Sequence, residues 1–247
     1  MTWITAHSGC EGTERDSLQS IDEALRLGAD VIEVDVRMDE QDVLRISHDR
    51  LTAAEYAVKP TLSDVFSKII QTPLKINLDI KEQRSLYPAL DLAEKFGLKP
   101  DRLILTGCQS PEQLVRDETI CERAAVFINI EEILKTAYIR HETDYRPADY
   151  AELMNRPWPF LKKKGMRSAW LEDLFAIMKN SALAGLNLPH DLLTADFSER
   201  LAKERIPLSV WTVNEADTVR FLLELGVHNI TTLRVRQALT LRDQSGR

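Results

Sequence analysis

Carboxylate side chains are grouped on two short segments that have the composition of buried strands. Residues 31–36 carry Glu33 and Asp35 between β-branched residues, and residues 75–80 carry Asp79. Because side chains alternate between the two faces of a strand, Glu33 and Asp35 point to the same side. Three carboxylates at neighbouring strand ends form an all-oxygen site, which suits Mg²⁺ or Ca²⁺ better than zinc.

The same acids are equally compatible with a structural role. Buried carboxylates need a partner, and Lys81, Arg37 and Arg45 are close enough in sequence to supply one. The spacing alone therefore leaves two possibilities open, a divalent metal site and an ordinary network of ion pairs.

Two histidines end neighbouring segments with an extended pattern. His7 follows residues 3–6, and His48 ends residues 42–48. A single histidine is more often structural than catalytic. If both reach the edge that carries the acids, however, they can divide the roles of general base and general acid beside a metal.

Short β-branched segments alternate with amphipathic helical patterns along almost the whole chain, which is typical of βα units around a parallel sheet. The predicted strands are 3–6, 30–36, 75–80, 102–106, 125–128, 183–188, 208–213 and 229–231. One predicted helix covers residues 111–118. Eight βα units in about 250 residues is the size of a (β/α)8 TIM barrel, which is the fold that we predict.

Two stretches interrupt this alternation. Residues 42–48 have the pattern of an extra strand, and residues 131–169 are too long for one simple connection. We predict that the longer stretch is a helical insertion at the barrel rim. We also expect residues 1–247 to form a single TIM-barrel domain.

The composition makes several classes of partner unfavourable. The 247 residues carry a formal net charge of −7 and have an isoelectric point of about 5.4, which disfavours nucleic acid as a main partner. Three cysteines without a Cys-x-x-Cys spacing favour free thiols in a reducing compartment. With neither a signal peptide nor a transmembrane pattern in the sequence, we expect a cytoplasmic protein. The oligomeric state is left open.

In combination, the motifs around these residues resemble the glycerophosphodiester phosphodiesterase family. The matching motifs are Ala6-His7-Ser8-Gly9, Glu14, Gly28-Ala29-Asp30 leading to Glu33 and Asp35, His48-Asp49, Pro60-Thr61-Leu62, Leu78-Asp79-Ile80-Lys81 and Val210-Trp211-Thr212-Val213-Asn214. The likeness extends from residue 3 to about residue 231 and is thin between residues 107 and 182.

The resemblance implies a TIM barrel that hydrolyses glycerophosphodiesters to an alcohol and glycerol 3-phosphate, with one divalent cation, Mg²⁺ or Ca²⁺, as cofactor. It implies that His7 and His48 are the catalytic acid/base pair. It further implies that Glu33, Asp35 and Asp79 are metal ligands, with Asp79 at a position where the family usually has glutamate.

The resemblance also implies how a substrate is held. Lys81 matches a phosphate-contacting lysine, and Trp211 matches an aromatic residue of the active-site rim. Ser8 replaces the usual arginine after the first histidine, and a hydroxyl does not supply the charge of a guanidinium. We therefore expect Arg15 to restore the cation. The candidates for substrate binding are Lys81, Trp211, Ser8 and Arg15.

Our leading hypothesis is thus a metal-dependent hydrolase that acts on small glycerophosphodiesters. Two alternatives remain open. One is a phosphodiesterase for lysophospholipids or sphingolipids, in which the insertion at 131–169 would hold the acyl chain. The other is a catalytically weak barrel that binds phosphodiesters, which is suggested by Ser8 and by Thr231-Thr232-Leu233 in place of the family's Thr-Asp-x-Pro.

Overall fold

Eight parallel strands close into a barrel. The computed structural model describes residues 1–246, apart from the side chain of Trp158, so the last residue of the predicted domain, Arg247, lies outside the described residues. The barrel closes because β1 (Trp3–Ala6) pairs with both β2 (Val31–Met38) and β9 (Asn229–Thr232). From β2, the other strands follow in the order β4 (Lys75–Ile80), β5 (Leu103–Gly107), β6 (Ala125–Asn129), β7 (Gly185–Pro189) and β8 (Leu208–Trp211). The predicted TIM barrel is confirmed.

An additional strand lies outside the barrel. β3 (Leu44–Ile46) pairs antiparallel with β2, and Arg45 lies opposite Arg37. The extra strand predicted at 42–48 is therefore present in a shorter form. Just after β3, the backbone N–H of Ser47 donates to the carbonyl of Asp35 at 2.9 Å, which holds the segment leading to His48 against β2.

Helices alternate with the strands around the barrel. They are α1 (Leu18–Leu27), α2 (Ala53–Val58), α3 (Leu62–Ile69), α4 (Gln83–Lys95), α5 (Pro111–Arg116), α6 (Thr119–Arg123), α7 (Ile130–His141), α8 (Pro147–Asn155), α9 (Pro157–Lys164), α10 (Ser168–Lys179), α11 (Ala195–Lys203), α12 (Ala216–Leu225) and α13 (Val235–Ser245). Local signals define several ends. The Ser17 side chain accepts from the Ser20 N–H at the start of α1, and Gly28 ends that helix with a φ of 73°.

The helix predicted at 111–118 is shorter than expected. It ends at Arg116, and α6 begins at Thr119. Between them, Oδ1 of Asp117 accepts hydrogen bonds from the backbone N–H of Thr119 at 3.1 Å and from its hydroxyl at 2.5 Å. An aspartate that bonds to backbone two residues ahead favours a turn over a continuing helix, which explains the break.

The long stretch after β6 is helical. Within the predicted range 131–169, most of the chain lies in α7, α8 and α9, and α10 begins at its end. An aromatic cluster packs these helices together, with the ring of Tyr138 from α7 5.5 Å from Phe160 of α9 and 5.9 Å from Trp170 of α10. Such contacts give the stretch a packed interior of its own.

Outward-facing residues of the strands form the main hydrophobic core. Ile32, Val34 and Leu78 are buried there, together with apolar residues of the surrounding helices. Because alternate residues of a strand point to opposite faces, Glu33 and Asp35 between them point into the barrel.

Inward-facing residues change in character from one end of the barrel to the other. A separate apolar cluster of Val31, Ile104 and Phe127 occupies the interior near the amino ends of the strands, and we call this the lower interior. Above it, buried polar groups bond to one another, as in the bond from the Thr5 hydroxyl to Asn229 Oδ1 at 2.5 Å. The carboxyl ends of the strands carry the charged groups.

Candidate active site

A cavity of about 470 Å³ opens at the carboxyl ends of the barrel strands, where TIM barrels place their active sites. Eight of the nine predicted site residues line it, namely His7, Arg15, Glu33, Asp35, His48, Asp79, Lys81 and Trp211. The ninth, Ser8, is buried with 7% of its surface exposed and is not among the lining residues. Residues from loops and strands far apart in sequence therefore meet in one pocket.

Glu33, Asp35 and Asp79 form a compact group that we call the acid cluster. Each offers one oxygen, and these three oxygens lie within 4.8 Å of one another. Glu33 and Asp35 are 5% and 2% exposed. Burial raises the pKa of both carboxyl groups, and the neighbouring charge of Asp79 adds to the effect. Placing acids so close together in a buried site disfavours their ionised forms unless a cation joins them.

Lys81 supplies part of that positive charge. Its ammonium lies 2.7 Å from Asp35 Oδ1 and 2.5 Å from Asp79 Oδ2. Burial opposes the charge of the lysine, but the two carboxylates outweigh burial and hold its pKa above the usual range. Arg15 lies farther out, with Nη2 3.5 Å from Asp35 Oδ2 and about half of its side chain exposed.

The ion-pair network that the sequence left open is only partly formed. Arg37 donates to the carbonyl of His48 at 2.9 Å, and Arg45 donates to Asp39 at 3.0 Å. Among the described residues, neither arginine forms an ion pair with the acid cluster. Lys81 and Arg15 are thus the basic side chains that contact these acids.

Two carboxylate oxygens of the acid cluster accept no hydrogen bond from the described part of the chain. These buried atoms are Oδ2 of Asp35 and Oδ1 of Asp79. Unpartnered buried acceptors are rare, because the lost hydration is not replaced. An all-oxygen set with two open acceptors fits a hard divalent cation, so the residues present are suited to the metal that the sequence motifs imply.

Glycine at the end of β5 makes room for one of these oxygens. Gly107 has a φ of 109°, and a Cβ atom there would lie 2.7 Å from Asp79 Oδ1 and would also overlap the backbone of Ile80. Any larger residue would push the Asp79 carboxylate away from its position. Gly107 is therefore part of the construction of the acid cluster, although it has no side chain to contribute.

Both histidines of the cavity are held through the same ring nitrogen, Nδ1. Nδ1 of His7 lies 2.9 Å from the carbonyl of Ser8, and Nδ1 of His48 lies 2.8 Å from the carboxylate of Asp49. Because both partners are acceptors, Nδ1 must carry the proton in each ring. Nε2 is then the nitrogen left for a substrate, as an acceptor in the neutral ring or as a donor in the protonated one.

Ser8 and Asp16 connect the two histidine loops. The Ser8 hydroxyl donates to Asp16 Oδ1 at 3.1 Å and accepts from the Asp16 N–H at 2.7 Å. Asp16 Oδ2 accepts from the backbone N–H of His48 at 3.2 Å, while the Ser8 N–H donates to Glu33 Oε2 at 3.2 Å. Asp16 is buried and has a φ of 55°, so a strained residue is held in place by these bonds.

Several lining residues were missed in the sequence. They are Asn77, Ile80, Thr106, Gly107, Cys108, Asn129, Glu131, Glu132, Asn187, Thr212 and Thr231. Most of them stand at or next to the carboxyl end of a strand, and Asn77 precedes Asp79 by two residues, so the two-residue period of strands could have identified it. Burial raises the pKa of Cys108 to about 11, so this thiol is protonated at neutral pH and is unsuited to act as a nucleophile.

The sequence profile of the glycerophosphoryl diester phosphodiesterase family matches residues 7–236, which is most of the chain. The chain belongs to this family. The predictions of the family and of a phosphoric diester hydrolase are therefore confirmed. No curated protein is significantly similar to this family member in sequence.

Solved structures with the same fold come from several bacteria. A glycerophosphodiester phosphodiesterase from Parabacteroides distasonis is 15% identical, with a TM-score of 0.69 and coverage of 100% of this chain and 98% of the other. An enzyme of the same name from Thermotoga maritima is 16% identical, with a TM-score of 0.70 and coverage of 98% and 99%.

A phosphodiesterase from Oleispira antarctica was solved in complex with the product sn-glycerol-3-phosphate. It is 16% identical, with a TM-score of 0.69 and coverage of 98% of this chain and 97% of the other. At these identities the likeness establishes the fold of the present family member. Among its described residues, the helices are too short or too polar to cross a lipid bilayer.

Proposed function

We propose that this family member hydrolyses glycerophosphodiesters to an alcohol and glycerol 3-phosphate with the help of a divalent cation. The observation that carries the proposal is the shared cavity, in which the acid cluster lies beside two histidines and has two oxygens that accept no hydrogen bond from the described residues. Further support comes from the family and from the structural neighbour solved with sn-glycerol-3-phosphate.

Glu33, Asp35 and Asp79 are the residues that would hold the cation. When bound, Mg²⁺ or Ca²⁺ supplies positive charge that polarises a phosphoryl oxygen and balances the charge that develops during displacement. The acid cluster determines where the phosphate binds, because the positive charges that it attracts lie at one side of the cavity. Lys81, held between Asp35 and Asp79, contributes a fixed ammonium there.

Arg15 takes the role that the family's arginine has at the position of Ser8. Its guanidinium reaches Asp35 from the exposed side of the cavity, where an incoming phosphate would meet it. A guanidinium binds two phosphate oxygens at once, which a hydroxyl does not do. Ser8 then acts as a positioning residue, since its hydroxyl is engaged with Asp16. Trp211 forms part of the wall against which the substrate packs.

His7 and His48 move the protons. One ring accepts a proton from the nucleophile through Nε2, and the other donates a proton to the departing alkoxide. Both rings are held for this purpose by their Nδ1 contacts, one to the Ser8 carbonyl and one to Asp49.

The test is hydrolysis of glycerophosphoethanolamine and glycerophosphocholine by the purified protein. We expect turnover that EDTA abolishes and that Mg²⁺ or Ca²⁺ restores. His7→Ala and His48→Ala should each lower kcat by about 100-fold or more, whereas His141→Ala, a histidine paired with Asp173 outside the cavity, should not.

Three outcomes would contradict parts of this proposal. Wild-type turnover in both histidine variants would remove the acid/base assignment. Tight binding of phosphodiesters without turnover would select the catalytically weak barrel instead. Hydrolysis of lysophospholipids in strong preference to the deacylated diesters would select the lipid phosphodiesterase.

A further inference from the structure

One wall of the cavity carries acids that the proposed hydrolysis does not use. Glu131 and Glu132 lie in the first turn of α7, directly after β6, and both line the cavity. They stand apart from the acid cluster, because β5 lies between β6 and β4 in the barrel. The two glutamates differ in whether their carboxylates are paired with a basic side chain.

Glu132 already has a partner. Its carboxylate lies 2.6 Å from the ammonium of Lys135, one helical turn farther along α7. Both side chains are only 16% exposed, so this is a sheltered ion pair with little charge left for a ligand.

Glu131 forms no such ion pair among the described residues. Oε1 accepts a hydrogen bond from Asn129 Nδ2 at 3.1 Å, but Oε2 is buried and has no hydrogen-bond partner within the described residues. Burial raises the pKa of Glu131 to about 8. A ligand that brings a cationic hydrogen-bond donor to Oε2 would both satisfy this oxygen and stabilise its ionised form.

The position of Glu131 relative to the phosphate site suits the leaving alcohol of the substrate. Neighbouring strands are about 4.8 Å apart, so the ends of β4 and β6 are separated by roughly 10 Å along the barrel wall. Lys81 and the acid cluster fix the phosphate at the β2 and β4 side. A two-carbon alcohol on a phosphate held there is long enough to bring a terminal group to the β6 side of the cavity.

We propose that Glu131 forms the subsite for a primary ammonium group on the leaving alcohol, so that the enzyme prefers amino-alcohol esters of glycerol phosphate. This inference rests on the proposed function, because it needs phosphodiester hydrolysis in the same cavity. The ammonium donates to Oε2 of Glu131, and Asn129 holds Oε1 so that the carboxylate keeps its orientation. Glu132 is excluded from this role by its pairing with Lys135.

A series of four substrates with a common phosphate tests the subsite. Glycerophosphoethanolamine carries charge and donor hydrogens, and glycerophosphocholine carries charge without a donor. Glycerophosphoglycerol carries donors without charge, and the ethyl ester of glycerol phosphate carries neither. The quantity measured is kcat/KM for each substrate with the wild type, Glu131→Gln and the matched control Glu132→Gln.

We expect the wild type to prefer the ethanolamine ester over the ethyl ester by about tenfold or more, as charge-assisted hydrogen bonds allow. Glu131→Gln should remove most of this preference and leave the ethyl ester within about threefold of wild type. Glu132→Gln should keep the preference, because the carboxylate that it neutralises already has a cationic partner.

Several results would overturn the inference. An equal loss on all four substrates in Glu131→Gln would mean a structural role, and a loss confined to glycerophosphoglycerol would mean a hydroxyl subsite. A wild type without preference for the ethanolamine ester would contradict it even if Glu131→Gln did not fold. Failure to hydrolyse any of the four substrates would instead contradict the proposed function itself.

Discussion

The lower interior of the barrel and the acid cluster are built on the same strands, only a few residues apart. On β2, Val31 belongs to the lower interior, whereas Glu33 and Asp35 belong to the acid cluster. The lower interior is closed by rings, with His228 4.4 Å from Trp3 and 5.5 Å from Phe127. The acid cluster instead keeps buried oxygens that accept no hydrogen bond from the described residues.

This difference separates the apolar end of the barrel, which stabilises the fold, from the end that carries the candidate site. Apolar and aromatic groups in the lower interior gain free energy by leaving water. Buried carboxylates at the other end lose hydration, and Lys81, Arg15 and the Ser8 N–H replace part of it. The fold therefore tolerates an unfavourable arrangement at the carboxyl ends, which is typical of sites that bind a charged ligand.

The largest effect is expected from Asp35→Asn. It should lower kcat/KM by about 10⁴-fold, or about 5.5 kcal/mol in the transition state, because it removes a charged oxygen from the proposed metal site. Without metal, the variant should unfold at the same temperature as the wild type or higher, since a buried charge has been removed. Kinetics with Mg²⁺ and thermal unfolding in EDTA measure both. A clear loss of metal-free stability would show that the acid cluster stabilises the fold.

The opposite pattern is expected at the lower interior. Phe127→Ala should lower the free energy of unfolding by about 3 kcal/mol, because it leaves a cavity beside Val31 and Ile104. At a temperature where the variant is fully folded, kcat/KM should stay within about threefold of wild type. Denaturant titration and kinetics at 15 °C or below, roughly the optimum of many domains, give these values. A large fall in activity would show that the two ends are coupled.

An intermediate effect is expected for Asp16→Asn, because Asp16 connects the acid cluster to the histidine loops. Asparagine tolerates the φ of 55° but replaces one acceptor oxygen with a donor, so either the His48 N–H or the Ser8 hydroxyl loses the acceptor to which it donates. We expect kcat to fall by about 10- to 30-fold, or about 1.4–2 kcal/mol, with KM within about threefold.

Asp42 provides the matched control for this variant. It also has a positive φ, 58°, but it is exposed in the turn between β2 and β3. Asp42→Asn should therefore leave kcat unchanged. An equal fall of kcat in both variants, or a change of Asp16→Asn confined to KM, would contradict the positioning role of Asp16.

The smallest effect is expected from pH at the lower interior. Burial lowers the pKa of His228, and the positive charges of the N-terminus and Lys75 add to this. Since the unfolded chain binds this proton more readily, stability is fully present above the unfolded pKa of about 6.5 and falls as the pH drops towards the lower folded pKa. His228→Gln should reduce the loss of unfolding free energy between pH 7.5 and 5.5. An identical loss in both proteins would contradict this.

Much of the barrel could be predicted because strands and helices leave periodic patterns in the sequence. The range 75–80 agrees with β4, and the alternation on β2 correctly assigns Glu33 and Asp35 to one face. The break after Arg116 was missed, because the turn depends on one Asp117 side chain that a helical pattern also accommodates. The short helix α2 was missed as well, within a segment that carries no long apolar period.

The residues of the cavity were predicted more completely than their contacts. The motifs identified His7, His48 and the acid cluster, whose catalytic and metal-binding roles stay predictions. The bonds of Ser8 to Asp16 could not be predicted, because they depend on the conformation of a loop with a positive φ. The contact between Gly107 and Asp79 likewise depends on how closely β5 approaches β4.

The sequence by itself determined the family, the eight βα units and the facing of the acids, since these depend on residue type and on local period. Only the tertiary structure decided which carboxylate oxygens have an ion-pair or hydrogen-bond partner. Lys81 pairs with one oxygen of Asp35, and the other, 3.5 Å from Arg15, accepts no hydrogen bond within the described part of the chain. Lys135 pairs with Glu132, whereas Oε2 of Glu131 is buried without a hydrogen-bond partner among the described residues. Burial and distance set these differences, and both arise only when segments far apart in the chain are packed together.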